Sequence, residues 1–247
     1  MTDAEKPWVE HLEEIRRRIL VSLGFLAGFF IIGLVMYKSL IRILTWPLQH
    51  LSTSLYFTSP EEGFMVMLKV ALFFAFFATF PILLWQFWQF VRPGLTDQER
   101  GGLFVMFVIA TALFLFGSLF CYFLVLPTAL KFLLSFGSTE FRPLLSVGKY
   151  SSFVGFMILA FGISFNLPIL LIGLAQAGIV TTAWLRHQRK FVILGIFILA
   201  AILTPSPDVV SQLMMALPLF LLFEITVLVT AWLEKQKGLD SHFKEVI

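Results

Sequence analysis

The chain has 247 residues, of which 59% are hydrophobic and only 13% are charged, and its formal net charge at pH 7 is +3. Soluble domains carry about 25% charged residues, so this composition excludes a water-soluble globular protein. The single cysteine, Cys121, excludes a disulfide framework and a cysteine-based metal site. The sequence therefore predicts an all-α protein that crosses a membrane several times.

Six apolar segments follow one another along the chain, and a membrane span needs about 20 residues. The first four segments are long enough to cross. We expect one integral membrane domain over residues 1–247 with six transmembrane helices, at about 19–37, 64–91, 103–126, 150–178, 191–203 and 209–233.

The fifth segment has only 13 residues, which as a helix would cover about 20 Å of a hydrocarbon core about 30 Å thick. The motif TPSPD at 204–208 then turns the chain back, because two prolines in three residues cannot continue a helix. We therefore predict short fifth and sixth helices that form a hairpin. If the sixth helix is equally short, Glu224 emerges near Arg189 and Lys190.

Prolines recur inside the predicted spans, at Pro81, Pro127, Pro168 and Pro218. Each removes a backbone hydrogen bond and tends to kink its helix. Several kinked helices favour a curved, concave wall over a straight bundle.

The distribution of lysine and arginine predicts the orientation. With the N-terminus inside, cytoplasmic segments carry 12 of the 18 basic residues and outer segments carry 5. Cytoplasmic loops of membrane proteins are enriched in lysine and arginine, so both termini are expected in the cytoplasm.

Motifs for catalysis and for metal binding are absent from the sequence. The four histidines lie in loops or at membrane edges, none pairs at ligand spacing, and there is no glycine-rich phosphate loop. We therefore expect neither an enzyme nor a metal or cofactor site.

Polar residues inside spans indicate function, and the candidates are Lys69, Gln86, Gln89, Asn166, Gln176, Gln212 and Glu224. Two alternatives stay open, because glutamine and asparagine also join helices by hydrogen bonds, and Lys69, near a span end, can extend to the membrane surface. Asn166 lies near the middle of a long span, two residues before Pro168. Because proline lacks an N–H, it frees a carbonyl that Asn166, or a water beside it, could satisfy.

The N-terminal edge of the first span reads HLEEIRRRIL, in which Glu14 and Arg18 are four residues apart. That order favours an ion pair on one helix face. The segment FVRPGLTDQER offers the acids Asp97 and Glu99 at the same membrane face. The two acidic clusters predict either a solvated, self-paired edge or a receptor for a basic ligand.

Several stretches together resemble the TatC family, the six-span receptor component of the twin-arginine protein translocase. They are HLEEIRRRIL (11–20), FPILLWQFWQFVRPGLTDQER (80–100), YFLVLPTALKFLL (122–134), FGISFNLPILL (161–171), LTPSPDVVSQ (203–212) and LPLFLLFEI (217–225). The resemblance implies a cofactor-free receptor in the bacterial cytoplasmic (inner) membrane. Such a receptor would bind twin-arginine signal peptides of folded proteins and assemble a multimeric complex with TatA- and TatB-like single-span proteins. Transport would be driven by the proton gradient, with no nucleic-acid partner.

The resemblance also implies roles for particular residues. Glu14 and Glu99 would bind the two arginines of the signal peptide. Family positions also fall on Arg16, Arg18, Phe90 and Pro81 at the cytoplasmic face, and on Pro47, Asp208, Gln212 and Glu224 as structural or partner contacts.

One position departs from the family pattern. Asn166 stands where the family usually has a glutamate, so a role that needs a buried negative charge is in doubt here, whereas a polar packing or partner contact survives.

Two other classes of function remain open. A small secondary transporter or channel would place a substrate near Asn166 and Gln86 at mid-membrane and give Glu14 no role. A pure scaffold for other membrane proteins would not be needed for export.

Overall fold

The structure is a computed structural model that describes residues 6–49, 54–91, 102–135, 144–176, 180–203 and 209–245, and these are mostly helical. The α-helices of the described residues are Lys6–Val35 (α1), Tyr37–Thr45 (α2), Glu62–Val91 (α3), Leu103–Phe120 (α4), Leu126–Ser135 (α5), Val147–Ser164 (α6), Leu167–Gln176 (α7), Thr182–His187 (α8), Arg189–Leu203 (α9) and Val209–Glu245 (α10).

Shorter elements join these helices. A 3₁₀ turn, Trp46–Leu48, follows α2, and a π-helical turn, Cys121–Val125, connects α4 to α5. The strands Leu55–Tyr56 (β1) and Leu145–Ser146 (β2) pair in parallel, with Leu55 opposite Leu145.

Among the described residues, five helical stretches are long and apolar enough to cross a membrane: Glu13–Val35, Glu62–Phe90, Phe104–Ser135, Val147–Ala175 and Gln212–Lys235. The predicted all-α polytopic architecture is confirmed. The predicted fifth span is α9, whose 15 residues reach about 22 Å. It is short, as expected.

The sixth helix is not short, which corrects the prediction. The helix α10 has 37 residues and continues well beyond Glu224. Between Pro218 and Gly238 its sequence contains neither glycine nor proline, so nothing in the local chemistry ends it near the level of α9.

The four prolines in the spans behave differently. The helix is interrupted at Phe165–Asn166, just before Pro168, and the π-helical turn precedes Pro127. By contrast, α3 and α10 continue through Pro81 and Pro218 without interruption. The predicted concave wall concerns the arrangement of all the helices and stays a prediction.

The chain divides into two compact units, an N-terminal unit (residues 1–112 and 122–159) and a C-terminal unit (residues 113–121 and 160–247). In the N-terminal unit, α1 runs antiparallel to α3, since Gly33 lies against Ala71 and Arg18 contacts Gln86. A Cβ at Gly33 would lie 3.0 Å from the backbone of Ala71, so this close approach requires glycine.

At the end of the N-terminal unit where β1 and β2 pair, two tyrosine side chains donate hydrogen bonds to the backbone of α2. The hydroxyls of Tyr122 and Tyr150 donate to the carbonyls of Ile43 (2.6 Å) and Leu44 (2.8 Å). Pro47 is buried at the start of the 3₁₀ turn, where its missing N–H costs no hydrogen bond. We call this end of the unit, which comprises the 3₁₀ turn, β1, β2 and the starts of α3 and α6, the cap end.

In the C-terminal unit, α7 to α10 enclose an apolar cluster of Val180, Leu185, Phe223 and Val227. The hydroxyl oxygen of Thr181 accepts from the N–H of Trp184 at 3.2 Å and begins α8. A separate aromatic cluster joins α4 to the end of α6, with Phe120 and Phe161 ring centroids 6.3 Å apart. Each cluster buries apolar area that stabilises the helix pairing.

Many large apolar side chains face outward. Val35 is 83% exposed, and Leu23, Ile31 and Ile32 on the same helix are also exposed. Such a surface would aggregate in water, whereas lipid tails cover it at no cost. The exposed apolar surface therefore fits a protein that lies in a bilayer.

Candidate functional site

Glu14 lies on α1 and is partly paired. Both Nε and Nη2 of Arg18 donate to its Oε1 atom, the former at 3.1 Å, as the four-residue spacing predicts. Nη1 of Arg18 reaches across to α3, where it donates to Oε1 of Gln86 (3.2 Å) and to the Gln86 carbonyl (3.4 Å). Arg18 therefore connects α1 to α3, while among the described residues the Oε2 atom of Glu14 accepts no hydrogen bond.

An open cavity of about 810 Å³ lies beside this carboxylate. The described residues of its lining are two acids, two arginines and two apolar residues: Glu13, Glu14, Arg16, Arg17, Leu20 and Val21. The side chain of Glu14 is 33% exposed, so it is accessible from the cavity. The arrangement provides a carboxylate with one free oxygen at a wet, charged edge.

An apolar groove of about 490 Å³ continues from the cavity along the same face of α1. It is lined by Val21, Gly24, Phe25, Gly28, Phe29 and Ile32, and shares Val21 with the cavity. Apart from the adjacent residues and the backbone of α1 itself, no atom of the described residues lies within 4 Å of a Cβ built on Gly24 or Gly28. The GxxxG pattern thus leaves an open notch on α1 rather than a packed contact within the described chain.

Other predicted residues of this face are only partly described. Arg16 is exposed and lines the cavity, while Phe90 and Pro81 lie half-buried on α3. Glu99 lies outside the described residues. Its proximity to Glu14 stays a prediction.

The α9–α10 hairpin holds two more of the predicted residues. Nε2 of Gln212 donates to the carbonyl of Phe197 at 2.9 Å, and Nη2 of Arg189 donates to Oε2 of Glu224 at 2.7 Å. Glu224 thus lies at the level of Arg189, as the sequence predicted for an equally short sixth helix, although α10 continues well beyond this point. Asp208 lies outside the described residues.

Asn166 is buried at the break between α6 and α7. Its N–H bonds to Ile163 (3.0 Å) instead of continuing the α-helical pattern, which frees the carbonyl of Gly162. The Nδ2 atom of Asn166 donates to that carbonyl at 3.0 Å. The expected role of satisfying a freed carbonyl is therefore seen two residues earlier than Pro168 alone would place it.

Glu62, which the sequence did not single out, is the most heavily bonded carboxylate among the described residues. Oε1 accepts from the Ser146 hydroxyl and from the N–H of Gly148 (2.6 Å), while Oε2 accepts from the N–H and the hydroxyl (2.8 Å) of Thr58. The motif SPEE at 59–62 has the capping-box spacing, which could have identified this residue as a helix-start acid. Its bond to Gly148, 86 residues away, has no local signal.

Among the described residues, no group of three or more histidine, cysteine, aspartate or glutamate side chains is placed so that it could hold a metal ion.

Comparison with known proteins decides the family. Residues 10–218 match the model of the family described as Sec-independent protein translocase protein (TatC). The chain belongs to the TatC family. The chain is 37% identical over 237 residues to the TatC protein of Carboxydothermus hydrogenoformans, which covers 96% of this chain and 98% of that one. To the TatC protein of Aquifex aeolicus it is 40% identical over 228 residues, or 90% and 93% of the two chains.

Solved TatC structures are similar in fold as well. A crystal structure described as the twin arginine translocase receptor TatC in DDM superposes with a TM-score of 0.82 at 37% identity. It covers 89% of this chain and 99% of the other. A second crystal structure of the TatC receptor has a TM-score of 0.81.

Membership in the TatC family confirms several predictions. The chain is a multi-pass bacterial membrane protein of a protein-transport family that works in the Tat translocase, and not an enzyme. The structure also disfavours a transporter site at Gln86, because the side chain of Gln86 already accepts a hydrogen bond from Arg18.

Within the TatC family pattern given above, Asn166 remains the departure. Its Oδ1 atom is buried without a hydrogen bond from the described residues. An asparagine there keeps the helix break satisfied through Nδ2 but supplies no charge.

Proposed function

We propose that this chain is the receptor subunit that binds twin-arginine signal peptides of folded proteins. In this proposal both termini lie in the cytoplasm, and TatA- and TatB-like single-span proteins join it in a multimeric complex. The proton gradient drives transport. The observation that carries the proposal is the Oε2 atom of Glu14, which accepts no hydrogen bond from the described residues and lies at the edge of a cavity that runs into an apolar groove.

The chemistry of Glu14 suits an incoming guanidinium. Arg18 holds Oε1 in place, so the carboxylate is oriented before the ligand arrives. A second arginine can then donate to Oε2, and a hydrogen bond to a charged group contributes about 1.5–3 kcal/mol. Glu14 and Glu99 together would supply roughly 3–6 kcal/mol by the same principle.

That energy falls short of useful affinity, because micromolar binding needs about 8 kcal/mol. At about 25 cal/mol per Å² the missing 2–5 kcal/mol corresponds to roughly 80–200 Å² of buried apolar surface, before binding entropy is counted. The groove on α1 adjoins the cavity and is apolar, so the hydrophobic segment of a signal peptide can be buried next to its arginines. Acids would select the peptide, and apolar burial would hold it.

The orientation rests on the distribution of basic residues. The α1 segment before the groove carries Arg16, Arg17 and Arg18, and Arg189 and Lys190 begin α9. Such clusters favour the cytoplasmic side. Glu14 then faces the compartment in which signal peptides are made.

The test is a site-specific photocrosslink in the intact protein in membrane vesicles. A photoreactive amino acid at Arg17, in the cavity lining, is exposed to a twin-arginine signal peptide and to the same peptide with two lysines. We expect crosslinks to the first peptide only, and their loss in Glu14→Gln and in Glu99→Gln. The matched control is Glu61→Gln, which removes an exposed carboxylate at the cap end. Undiminished crosslinking in Glu14→Gln would refute the proposed role of this residue.

A further inference from the structure

Lys69 is a charged residue within the apolar helix α3. It lies seven residues after Glu62 and inside the candidate span Glu62–Phe90. Its Nζ donates to the hydroxyl oxygen of Ser152 on α6 at 3.0 Å, and its side chain is exposed. An ammonium at this depth is costly unless it reaches the interface or meets an anion.

The depth of this ammonium can be read from the contacts of Glu62. Because Oε1 of Glu62 accepts from the N–H of Gly148, α3 and α6 begin at the same level. Lys69 then lies about 10 Å along α3, and Ser152 lies about 6 Å beyond Gly148 along α6. The Lys69 side chain therefore reaches back toward the helix starts by about 4 Å, in the direction of the membrane surface at the cap end.

The charge of Lys69 is not neutralised by its described neighbours. Ser152 is neutral, and its own proton goes to the carbonyl of Gly148 at 2.9 Å. Both oxygens of Glu62, on the same face of α3, are occupied by neutral donors. Among the described residues, Lys69 contacts no carboxylate, so it keeps two N–H donors and a full charge for an outside ligand.

A second exposed lysine lies on the same helix as Ser152. Lys149 is three residues before Ser152, so the two share one face of α6, and Lys149 is exposed. Its side chain, too, meets no acid in the part of the chain that the structure describes. The exposed acid Glu61 lies one residue before α3 begins, two turns from Lys69.

Apolar side chains continue from this polar group toward the middle of the span. Leu72 and Phe76 follow Lys69 by three and seven residues on α3, and Phe156 follows Ser152 by four on α6. All three are more than 40% exposed. The surface thus combines two cations and a hydroxyl near the helix starts with an apolar strip in the direction of the hydrocarbon core.

We propose that Lys69, Ser152 and Lys149 bind the headgroup phosphodiester of an anionic phospholipid at the cap end, with its acyl chain along Leu72, Phe76 and Phe156. The phosphodiester oxygens accept the free N–H donors of Lys69 and Lys149. Ser152 orients Lys69 toward them. An anionic lipid fits better than a zwitterionic one, because a choline cation would meet the two ammonium groups.

Native mass spectrometry of the full-length protein in detergent tests this proposal. The protein is titrated with phosphatidylglycerol and, separately, with phosphatidylcholine. We expect phosphatidylglycerol to be retained more strongly, and Lys69→Gln and Lys149→Gln each to weaken its retention about fivefold. Lys131→Gln, which removes an exposed lysine of α5, is the charge-matched control and should retain lipid as the wild type does.

Ser152→Ala separates a built site from general attraction between charges. It leaves the net charge unchanged but removes the acceptor of the Lys69 ammonium, so we expect weaker retention of phosphatidylglycerol. Equal losses in Lys131→Gln and Lys69→Gln, equal retention of the two lipids, or full retention in Ser152→Ala would each overturn the proposal. Displacement of the lipid by millimolar inorganic phosphate would show a phosphate site rather than a lipid site, and would overturn it as well. Size-exclusion profiles that match the wild type establish that the variants are folded.

Discussion

Glu14 and Glu62 are both carboxylates at the edges of the same unit, yet their surroundings differ. Glu62 is only 8% exposed, and each of its oxygens accepts two hydrogen bonds from neutral donors. Glu14 is accessible, and among the described residues only its Oε1 atom is bonded, by two N–H groups of Arg18. A saturated carboxylate holds a structure together, whereas one with a free oxygen and an oriented partner is ready for a ligand.

The strongest way to break this comparison is to neutralise Glu14. In Glu14→Gln we expect the affinity for a twin-arginine peptide to fall about 10- to 150-fold, which corresponds to the loss of about 1.5–3 kcal/mol from one charged hydrogen bond. Fluorescence anisotropy of a labelled peptide in detergent measures it. The melting temperature of the same variant should stay unchanged. A large drop in stability would instead place Glu14 in the same structural class as Glu62.

Neutralising Glu62 should give the opposite pattern. Glu62→Gln leaves part of the donor set from Thr58, Ser146 and Gly148 without an acceptor, at a cost of about 1–3 kcal/mol. For a chain of this size, each kcal/mol lowers the melting temperature by about 2–4 °C. Thermal unfolding followed by circular dichroism in detergent measures the shift, with Glu61→Gln as the exposed control. Peptide affinity should be retained, and its loss would contradict the division.

Gln86→Leu tests whether the contact of Arg18 with α3 keeps Glu14 oriented for the peptide. Without the Gln86 side chain, Arg18 keeps only the backbone carbonyl on α3 and is freer to cover both oxygens of Glu14. A neutral hydrogen bond contributes about 0.5–1.5 kcal/mol, so peptide affinity should fall roughly two- to tenfold. The same anisotropy titration measures it. Tighter peptide binding in Gln86→Leu would show that the bond between Arg18 and Gln86 hinders peptide binding instead of helping to orient the Glu14 carboxylate.

The ion pair of Arg189 and Glu224 should matter least. Both side chains are well exposed, at 45% and 30%, and such pairs contribute at most about 1 kcal/mol. We expect Glu224→Gln to lower the melting temperature by about 4 °C or less, and the difference to shrink in high salt. Thermal scans at two salt concentrations test this. An effect as large as that of Glu62→Gln would show that the hairpin is held by this pair.

Local patterns predicted much of this molecule. Hydropathy located the spans, the four-residue spacing predicted the Glu14–Arg18 pair, and the short fifth segment predicted the level of Glu224. Each of these rests on helix geometry within one segment or one tight hairpin.

Contacts between distant segments could not be predicted in the same way. The bond from Arg18 to Gln86 spans 68 residues and that from Gly148 to Glu62 spans 86. Their partners are common polar residues with many possible neighbours. The length of α10 was missed for a different reason, because the short fifth segment and the turn at TPSPD predicted a hairpin of two equally short helices, whereas α10 continues to Glu245.

The π-helical turn Cys121–Val125 has a consequence for the two helices it joins. A π turn contains one residue more than an α turn, and one residue corresponds to about 100° of rotation. The buried stripe of α4, which includes Ala110, Phe114 and Ser118, is therefore continued by Leu126 and Leu130 of α5, which lie within about 20° of Ser118 instead of about 80° and 120° away. The continuous helix thus keeps one buried face on both sides of the turn, and deleting a single residue from the turn would rotate α5 by about 100° away from that face.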